Sequence, residues 1–496
     1  MKPCLISRLY CLLGVTFGAC SPLESIAQEK KPNVLFVISD DLNYALSGLG
    51  HPECKTPHLD DFAKSAVSFT RAYCQFPLCG PSRASIMTGQ YPWTNGVTGN
   101  GGNVEEERVT LSRHFQNHGY WAGRVSKIYH MGIPSDIVQG TSGRDHAPSW
   151  NEAHNMAALE TMTPGKAVEY THPEALEAYP KQRKEWKKAH DAGEPYPMPA
   201  NVRGQYAVVE VADKDVAQLP DTMAADKAIE ILRERAGMED PFFLAVGFVR
   251  PHFPFVATDR SLAPYDAGKL AYPEMPEDDY DDIPEQAING RMEFEKDPVR
   301  QMRRGYFGAV TFMDEQFGRL MAELDRLGRR EETIVIFVSD HGYMLGEHEM
   351  WKKTKLWEDA IHVPLMISAP GLKGGKKCHQ FVELVDLYPT ITELAGLPAE
   401  PGAQGMSLVP LLKDPSAERP EKPDALIQIP AGNGLRRGKW AYMWYPAKKK
   451  SPAAAMLFDM EKDPGQFTNL AGLPEYEKTA KKLHSRLMKR VGSSGR

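Results

Sequence analysis

Cysteine is scarce in this chain, with seven among 496 residues. Cys4, Cys11 and Cys20 fall within the first twenty positions, which leaves Cys54, Cys74, Cys79 and Cys378 for the body. Four cysteines so widely spread do not form the framework that staples small secreted domains, so the fold must rest on an apolar core. A strong excess of one charge is also missing. The net charge is −6, without the basic surplus of chains that bind nucleic acid, and no such partner is expected. Beyond the N-terminus no run is long and apolar enough to cross a bilayer, so no transmembrane segment is expected. Internal repeats are lacking, which sets aside repeat architectures.

Apolar residues, by contrast, make up 42% of the chain, enough for a large core, and the length suits one large domain with a smaller one. The first 27 residues read as a targeting segment. Lys2 and Arg8 are followed by an apolar run from Leu9 to Ala19 and by small residues at Ser25-Ile26-Ala27, the pattern of a signal peptide cut after Ala27. Phe17-Gly18-Ala19-Cys20 offers a competing reading, a lipobox that would lipidate Cys20. A secreted or periplasmic protein is expected, with a lipid anchor at the cell surface through Cys20 as the alternative.

Three short apolar runs, Asn33–Ser39, Pro241–Gly247 and Thr333–Ser339, read as buried parallel strands. Thr56 followed by Pro57 marks a helix start. Tyr306, Val310, Met313, Phe317, Leu320, Leu324 and Leu327 recur at helical spacing. Alternating strands and helices predict an α/β sandwich around a large, mostly parallel sheet. Residues from about 145 to 215 and from 272 to 298 are charged and Pro-rich, and are expected to be loops that shape the mouth of a site. Composition shifts again near 413–423. Beyond it, Trp440–Tyr445 and Met456–Met460 predict antiparallel strands and Glu475–Val491 a terminal helix. The domain expectation is a leader over 1–27, a catalytic domain over 28–415 and a C-terminal subdomain over 416–496.

Chemistry concentrates in three places. Cys79-Gly80-Pro81-Ser82-Arg83 precedes Ala84-Ser-Ile-Met-Thr-Gly-Gln90. The apolar residues predict a helix opening just after the motif, with free N–H groups that favour an anion. Asp40-Asp41 and Asp340-His341 each end a predicted strand, where open parallel sheets bind ligands. Carboxylates gathered there repel one another unless a cation sits among them, and oxygen donors select Ca²⁺ or Mg²⁺. Basic residues form the third set: Lys127 and His130 in Lys127-Ile-Tyr-His130, His252 in Arg250-Pro-His-Phe-Pro, and Lys353. Lys and His donors can stabilise charge that builds up on oxygen, and His is a ready proton carrier near neutral pH.

Cys79-Gly-Pro-Ser-Arg83 with its downstream Thr-Gly resembles the signature of formylglycine-dependent sulfatases, within the alkaline phosphatase superfamily. Ser339-Asp-His-Gly-Tyr-Met-Leu-Gly-Glu-His348, His362-Val-Pro-Leu-Met and Arg250-Pro-His-Phe-Pro bring it nearest the iduronate-2-sulfatase branch. Most other sulfatases read Asp-Asn where this chain reads Asp340-His341. The likeness runs from about Asn33 to the C-terminus. It implies an alkaline-phosphatase-like fold with a smaller antiparallel C-terminal sheet, and a Cys79 oxidised to formylglycine by a maturation enzyme. It implies calcium, with magnesium second, held by Asp40, Asp41, Asp340 and His341 together with position 79. Arg83 and His130 would steady the formylglycine hydrate, and Lys127, His252 and Lys353 would meet the sulfate. His341 would ligate the ion directly or only hydrogen-bond the nucleophile. The implied activity is removal of sulfate from a sulfated oligosaccharide or polysaccharide, with a 2-O-sulfated uronate as the first choice. Arg250, Lys352 and Lys355 would be either contacts for a uronate carboxylate or solvated surface charges. The alternatives are a phosphonate monoester or phosphodiester hydrolase with the same nucleophile, and a carbohydrate-binding homologue without turnover.

Overall fold

The computed structural model describes residues 1, 31–158, 208–288, 291–292, 294–448 and 451–495, together with 166–169, 181, 184–185, 188–189 and 191–194. The expectations for the leader, including the fate of Cys20, and for most of 159–207 lie outside the described residues. Pro32–Arg496 forms one compact unit.

Nine strands build the main sheet. In chain order they are β1 (Asn33–Asp40), β2 (Val67–Tyr73), β3 (Trp121–Ser126) and β4 (Glu152–His154), then β7 (Phe242–Pro251), β9 (Thr333–Ser339), β12 (His362–Ser368), β13 (Lys376–Cys378) and β14 (Val382–Glu383). The intervening numbers belong to β5 (Lys166–Glu169), β6 (Val208–Val211), β8 (Phe255–Thr258) and the hairpin β10 (Met344–Leu345) with β11 (Trp351–Lys352). The order across the sheet is β13–β2–β12–β9–β1–β7–β3–β4, with β14 also on β2. Pairing is parallel throughout except at β12, which runs antiparallel to both neighbours.

The central strands carry apolar residues on both faces because both faces are covered. Leu35 and Val37 of β1 join Leu244, Val246, Val335 and Phe337 in one core, beneath the helices Pro220–Ala236 and Lys296–Arg326. Val34, Phe36 and Ile38 point the other way and join Phe243, Ala245, Ile334 and Ile336 in a second core. This period-two split is the α/β sandwich expected from the sequence. The long helix starts ten residues before Tyr306, at Lys296.

Two local expectations need correction. The stretch 145–215 is not only loop: β4 extends the main sheet, and β6 pairs parallel with β8 and antiparallel with β5. The helix of the cysteine motif, Cys79–Thr88, opens on Cys79 itself rather than after the motif.

β15 (Asp424–Ile429), β16 (Gly432–Arg437), β17 (Trp440–Tyr445) and β18 (Ala454–Asp459) form an antiparallel meander. Ala425, Ile427, Met443 and Phe458 pack into the second core. Leu426, Leu435, Tyr442 and Leu457 pack instead on Leu483, Leu487 and Val491 of the terminal helix Glu477–Ser493.

Candidate active site

Parallel register gathers the site. Ser39 pairs with Ser339, Ile38 with Gly247, and Gly247 with Ser126. The residues that follow therefore emerge in a row at the carboxyl ends of β1, β9, β7 and β3, where open α/β sheets bind ligands. Asp40 and Asp41 come from β1, Asp340 and His341 from β9, His252 from β7, and Lys127 and His130 from β3. Asp41 (φ 64°) and Ser126 (φ 61°) are left-handed. Such conformations cost a non-glycine residue about 1 kcal/mol or more and persist only where neighbours hold them. For Asp41 the holder is Tyr306, whose hydroxyl donates to Asp41 O and accepts from the Asn43 N–H, both at 2.8 Å.

Cys79 is the first residue of its helix and is fully buried. Its Sγ lies 3.2 Å from Lys353 Nζ and 3.3 Å from His341 Nε2. Four residues on, Arg83 ties the helix to both strand ends. Its Nε donates to Asp340 Oδ2 at 2.8 Å, and its Nη2 lies 3.3 Å from Asp40 Oδ1. Its Nη1 also donates to the carbonyls of Lys127 and Ile128. Ser82 Oγ donates to Asp340 O. Gly80 sits in a tight space, since a Cβ there would stand 3.0 Å from Asn100 and Gly99 atoms.

Lys127 Nζ lies 2.6 Å from Asp40 Oδ2, and Lys353 Nζ 2.5 Å from Asp41 Oδ1. His341 Nδ1 lies 2.9 Å from Gly342 O, a bond that leaves Nε2 facing Cys79 Sγ, Asp41 Oδ1 at 3.4 Å and Asp340 Oδ2 at 3.7 Å. His252 Nδ1 is likewise bound to Phe253 O at 2.5 Å, which turns Nε2 towards Asp41 Oδ2 at 3.8 Å. His130 has a buried Nδ1 without a hydrogen-bond partner. Lys127, Asp40, Lys353 and Arg83 are its charged neighbours, and burial, with Lys127 adding, pushes its imidazole down to about 3.

These charges decide whether a cation fits. Burial pushes the Asp41 carboxyl up to about 7 despite Lys353, and Asp40 pushes the same way. Asp41 Oδ2 is buried with no hydrogen-bond partner. Burial opposes ionisation of Asp40 too, but Lys127 and Arg83 hold it well below the usual carboxylate range. Ligand atoms of Asp40, Asp41, Cys79 and His252 lie within 4.8 Å of one another, as do those of Asp40, Cys79, Asp340 and His341. Clustered carboxylates with an orphaned oxygen fit a hard divalent ion.

The structure therefore brings together Asp40, Asp41, Cys79, Arg83, Lys127, His252, Asp340, His341 and Lys353, with His130 beside them. Arg250 and Lys355 are buried rather than solvated surface charges. Arg250 is 1% exposed and donates to the His252 and Pro254 carbonyls at 2.7 and 2.8 Å. Lys355 is buried and donates to Trp351 O at 2.8 Å. Lys352 remains exposed, at φ 70°. Sequence reading missed Tyr306, Asn43 and Asp221; the last accepts from the Val249 and Arg250 N–H groups at 2.7 and 2.9 Å. It also missed Ser82, although that serine stands inside the motif.

The profile of the family described as Sulfatase matches residues 32–397, and that of the N-sulphoglucosamine sulphohydrolase C-terminal region matches 346–492. A sulfatase of Formosa agariphila is 30% identical over 438 residues, covering 82% of this chain and 78% of its own. Iduronate 2-sulfatase of Mus musculus is 30% identical over 435 residues, covering 77% and 72%. Among solved structures, the phosphonate monoester hydrolase of Silicibacter pomeroyi superposes with a TM-score of 0.75 at 22% identity over 94% of this chain and 96% of its own, a likeness of fold. The chain belongs to the sulfatase family and is a sulfuric ester hydrolase.

Proposed function

We propose that the chain removes the 2-O-sulfate of a sulfated uronate in an oligosaccharide or polysaccharide, through Cys79 oxidised to formylglycine beside a bound calcium ion. One observation carries the catalytic part. Cys79 Sγ sits within 3.3 Å of both Lys353 and His341, on a helix that Arg83 ties to the carboxylates of two strands. The uronate part rests on 30% identity to iduronate 2-sulfatase over 77% of the chain.

Asp40, Asp41, Asp340 and His341 would hold the ion with position 79, and when bound it would polarise a sulfate oxygen. The formylglycine hydrate would supply a hydroxyl nucleophile at position 79. The chain's own groups do the rest. The helix opens on position 79, so the positive end of its dipole faces the anionic sulfate, although the Gly80 N–H is already bonded to Asn100 Oδ1 at 2.9 Å and Pro81 has none. Lys127 and Lys353 place ammonium charge where the ester oxygens gain negative charge. His252, with Nδ1 fixed on Phe253 O and Nε2 turned into the site, or Lys353 would stand near the leaving oxygen. Arg83 and His130 steady position 79. Lys352, exposed on β11, is the remaining candidate for the uronate carboxylate.

Residues 1–27 act as an export leader, 28–415 carry catalysis and 416–496 close the fold. A formylglycine-generating enzyme is the maturation partner. No helix among the described residues is long and apolar enough to cross a membrane.

The deciding experiment compares turnover of an aryl sulfate, an aryl phosphodiester and defined oligosaccharides sulfated at single positions. Preference for the aryl sulfate, with sulfate released from the 2-O-sulfated uronate, supports the proposal. Preference for the phosphodiester overturns the reaction, and release only from other positions overturns the sugar.

A further inference from the structure

A groove of about 1020 Å³ opens where the terminal helix, the small sheet and the β2 side of the main sheet meet. None of its lining residues belongs to the Cys79 cluster, and none is acidic. The terminal helix contributes Lys478, Lys482 and Arg486, the small sheet Arg437 and Lys439, and β2 contributes Arg71. In a chain of net charge −6 this is a local reversal of sign.

The internal compensation is incomplete. Arg437 and Arg486 share the one carboxylate of Asp424 with Arg490, which also pairs with Glu383. Lys439 pairs with Asp459 at 2.6 Å. Among the described residues neither Lys478 nor Lys482 has a carboxylate partner. Lys478, Lys482 and Arg486 stand at i, i+4 and i+8 on one helical face, a spacing at which like charges weaken a helix unless an anion sits against them. Trp440 also lines the groove, on the strand that follows the Gly438-Lys439 turn. A ring set among cations is the lining that an anionic sugar chain can use, by stacking on the ring and ion pairing with its sulfates.

We propose that this groove is a second, non-catalytic site that holds a sulfated polysaccharide. The proposal rests on the reading that the substrate is a sulfated saccharide. A polymer bound there is retained near the enzyme while single sulfates are removed at Cys79. Polymer therefore has a lower KM than a small ester, and kcat is the same for proteins with and without the groove charges.

The test uses the full chain and the double variant Lys478→Glu with Lys482→Glu, both exposed positions. Labelled heparin is the probe, and an aryl sulfate reports on the catalytic centre. The expected result is heparin binding about tenfold weaker or worse in the variant, with aryl sulfate turnover unchanged. Heparin binding equal in the two proteins would overturn the proposal. So would displacement of heparin by double-stranded DNA as effective as by unlabelled heparin, since the groove would then take any polyanion. Failure of the wild type to turn over aryl sulfate would refute the catalytic reading alone, because heparin binding still decides the groove.

Discussion

Arg83 Nε lies 2.8 Å from Asp340 Oδ2, with both side chains wholly buried and 257 positions apart in the chain. This bond joins the helix of Cys79 to the end of β9. Through Nη2 the same guanidinium reaches Asp40 at the end of β1. One side chain thus sets the nucleophile position against both carboxylate-bearing strands.

Asp40→Asn removes the charge that faces Lys127 and Arg83, and leaves two buried cations undercompensated. Breaking such a pair costs about 3–5 kcal/mol. The thermal midpoint should fall by several degrees, added calcium should restore part of it, and sulfate release should drop by on the order of 100-fold or more. Calorimetry with and without calcium checks this. Full activity in the variant would contradict the metal assignment.

Tyr306→Phe deletes the hydroxyl that bridges Asp41 O and the Asn43 N–H. Two buried backbone groups lose their partner, at about 1–3 kcal/mol each. Asp41 also loses the contact that holds it left-handed. Turnover should fall by roughly tenfold, with little change in KM for an aryl sulfate. Unchanged turnover would show that Asp41 is held by other contacts.

Arg250→Ala separates a positioning role from a substrate contact. In the structure the side chain supports the segment that carries His252 through the His252 and Pro254 carbonyls. Stability should fall by about 2–4 kcal/mol, and turnover should drop even on an aryl sulfate that has no carboxylate. Loss confined to uronate substrates would restore the contact reading.

Asp314 gives a pH signature away from the active site. Burial pushes its carboxyl up to about 7, although the His58 and Leu59 N–H groups at the start of a helix pull it down. A folded value above the unfolded one means that the native state binds the proton more tightly. Its contribution is therefore full below the unfolded value of 3.8 and is lost as pH rises towards 7. Asp314→Asn lacks this loss, so its stability deficit against wild type should shrink between pH 4.5 and 7.5. A deficit constant over that interval would contradict the assignment.

Much of this site is legible from sequence because its key residues end strands that are themselves legible. Buried parallel strands read as unbroken apolar runs, and β1, β7 and β9 do so. The polar residues just beyond them, Asp40, Asp41, Asp340 and His252, then have to lie at one sheet edge. The reversed direction of β12 is not legible, because an apolar strand carries no mark of which way its neighbours run. β6 is hidden for a similar reason: four residues, Val208–Val211, gain their identity only by pairing with β5 and β8. Arg250 and Lys355 were misread because a cation looks solvated until the carbonyls that bury it are known. Tyr306 sits 265 positions from Asp41, and in the sequence it reads as one more apolar position of an amphipathic helix.

The most direct test is the mass of the tryptic peptide that contains Cys79, taken from enzyme made in its native host, alongside sulfate release by the same preparation and by Cys79→Ala. The expected outcome is a peptide lighter by the exchange of a thiol-bearing carbon for an aldehyde, active wild type, and a folded variant at least on the order of 10³-fold slower. An unmodified thiol in fully active enzyme, or sulfate release undiminished in Cys79→Ala, would contradict the account.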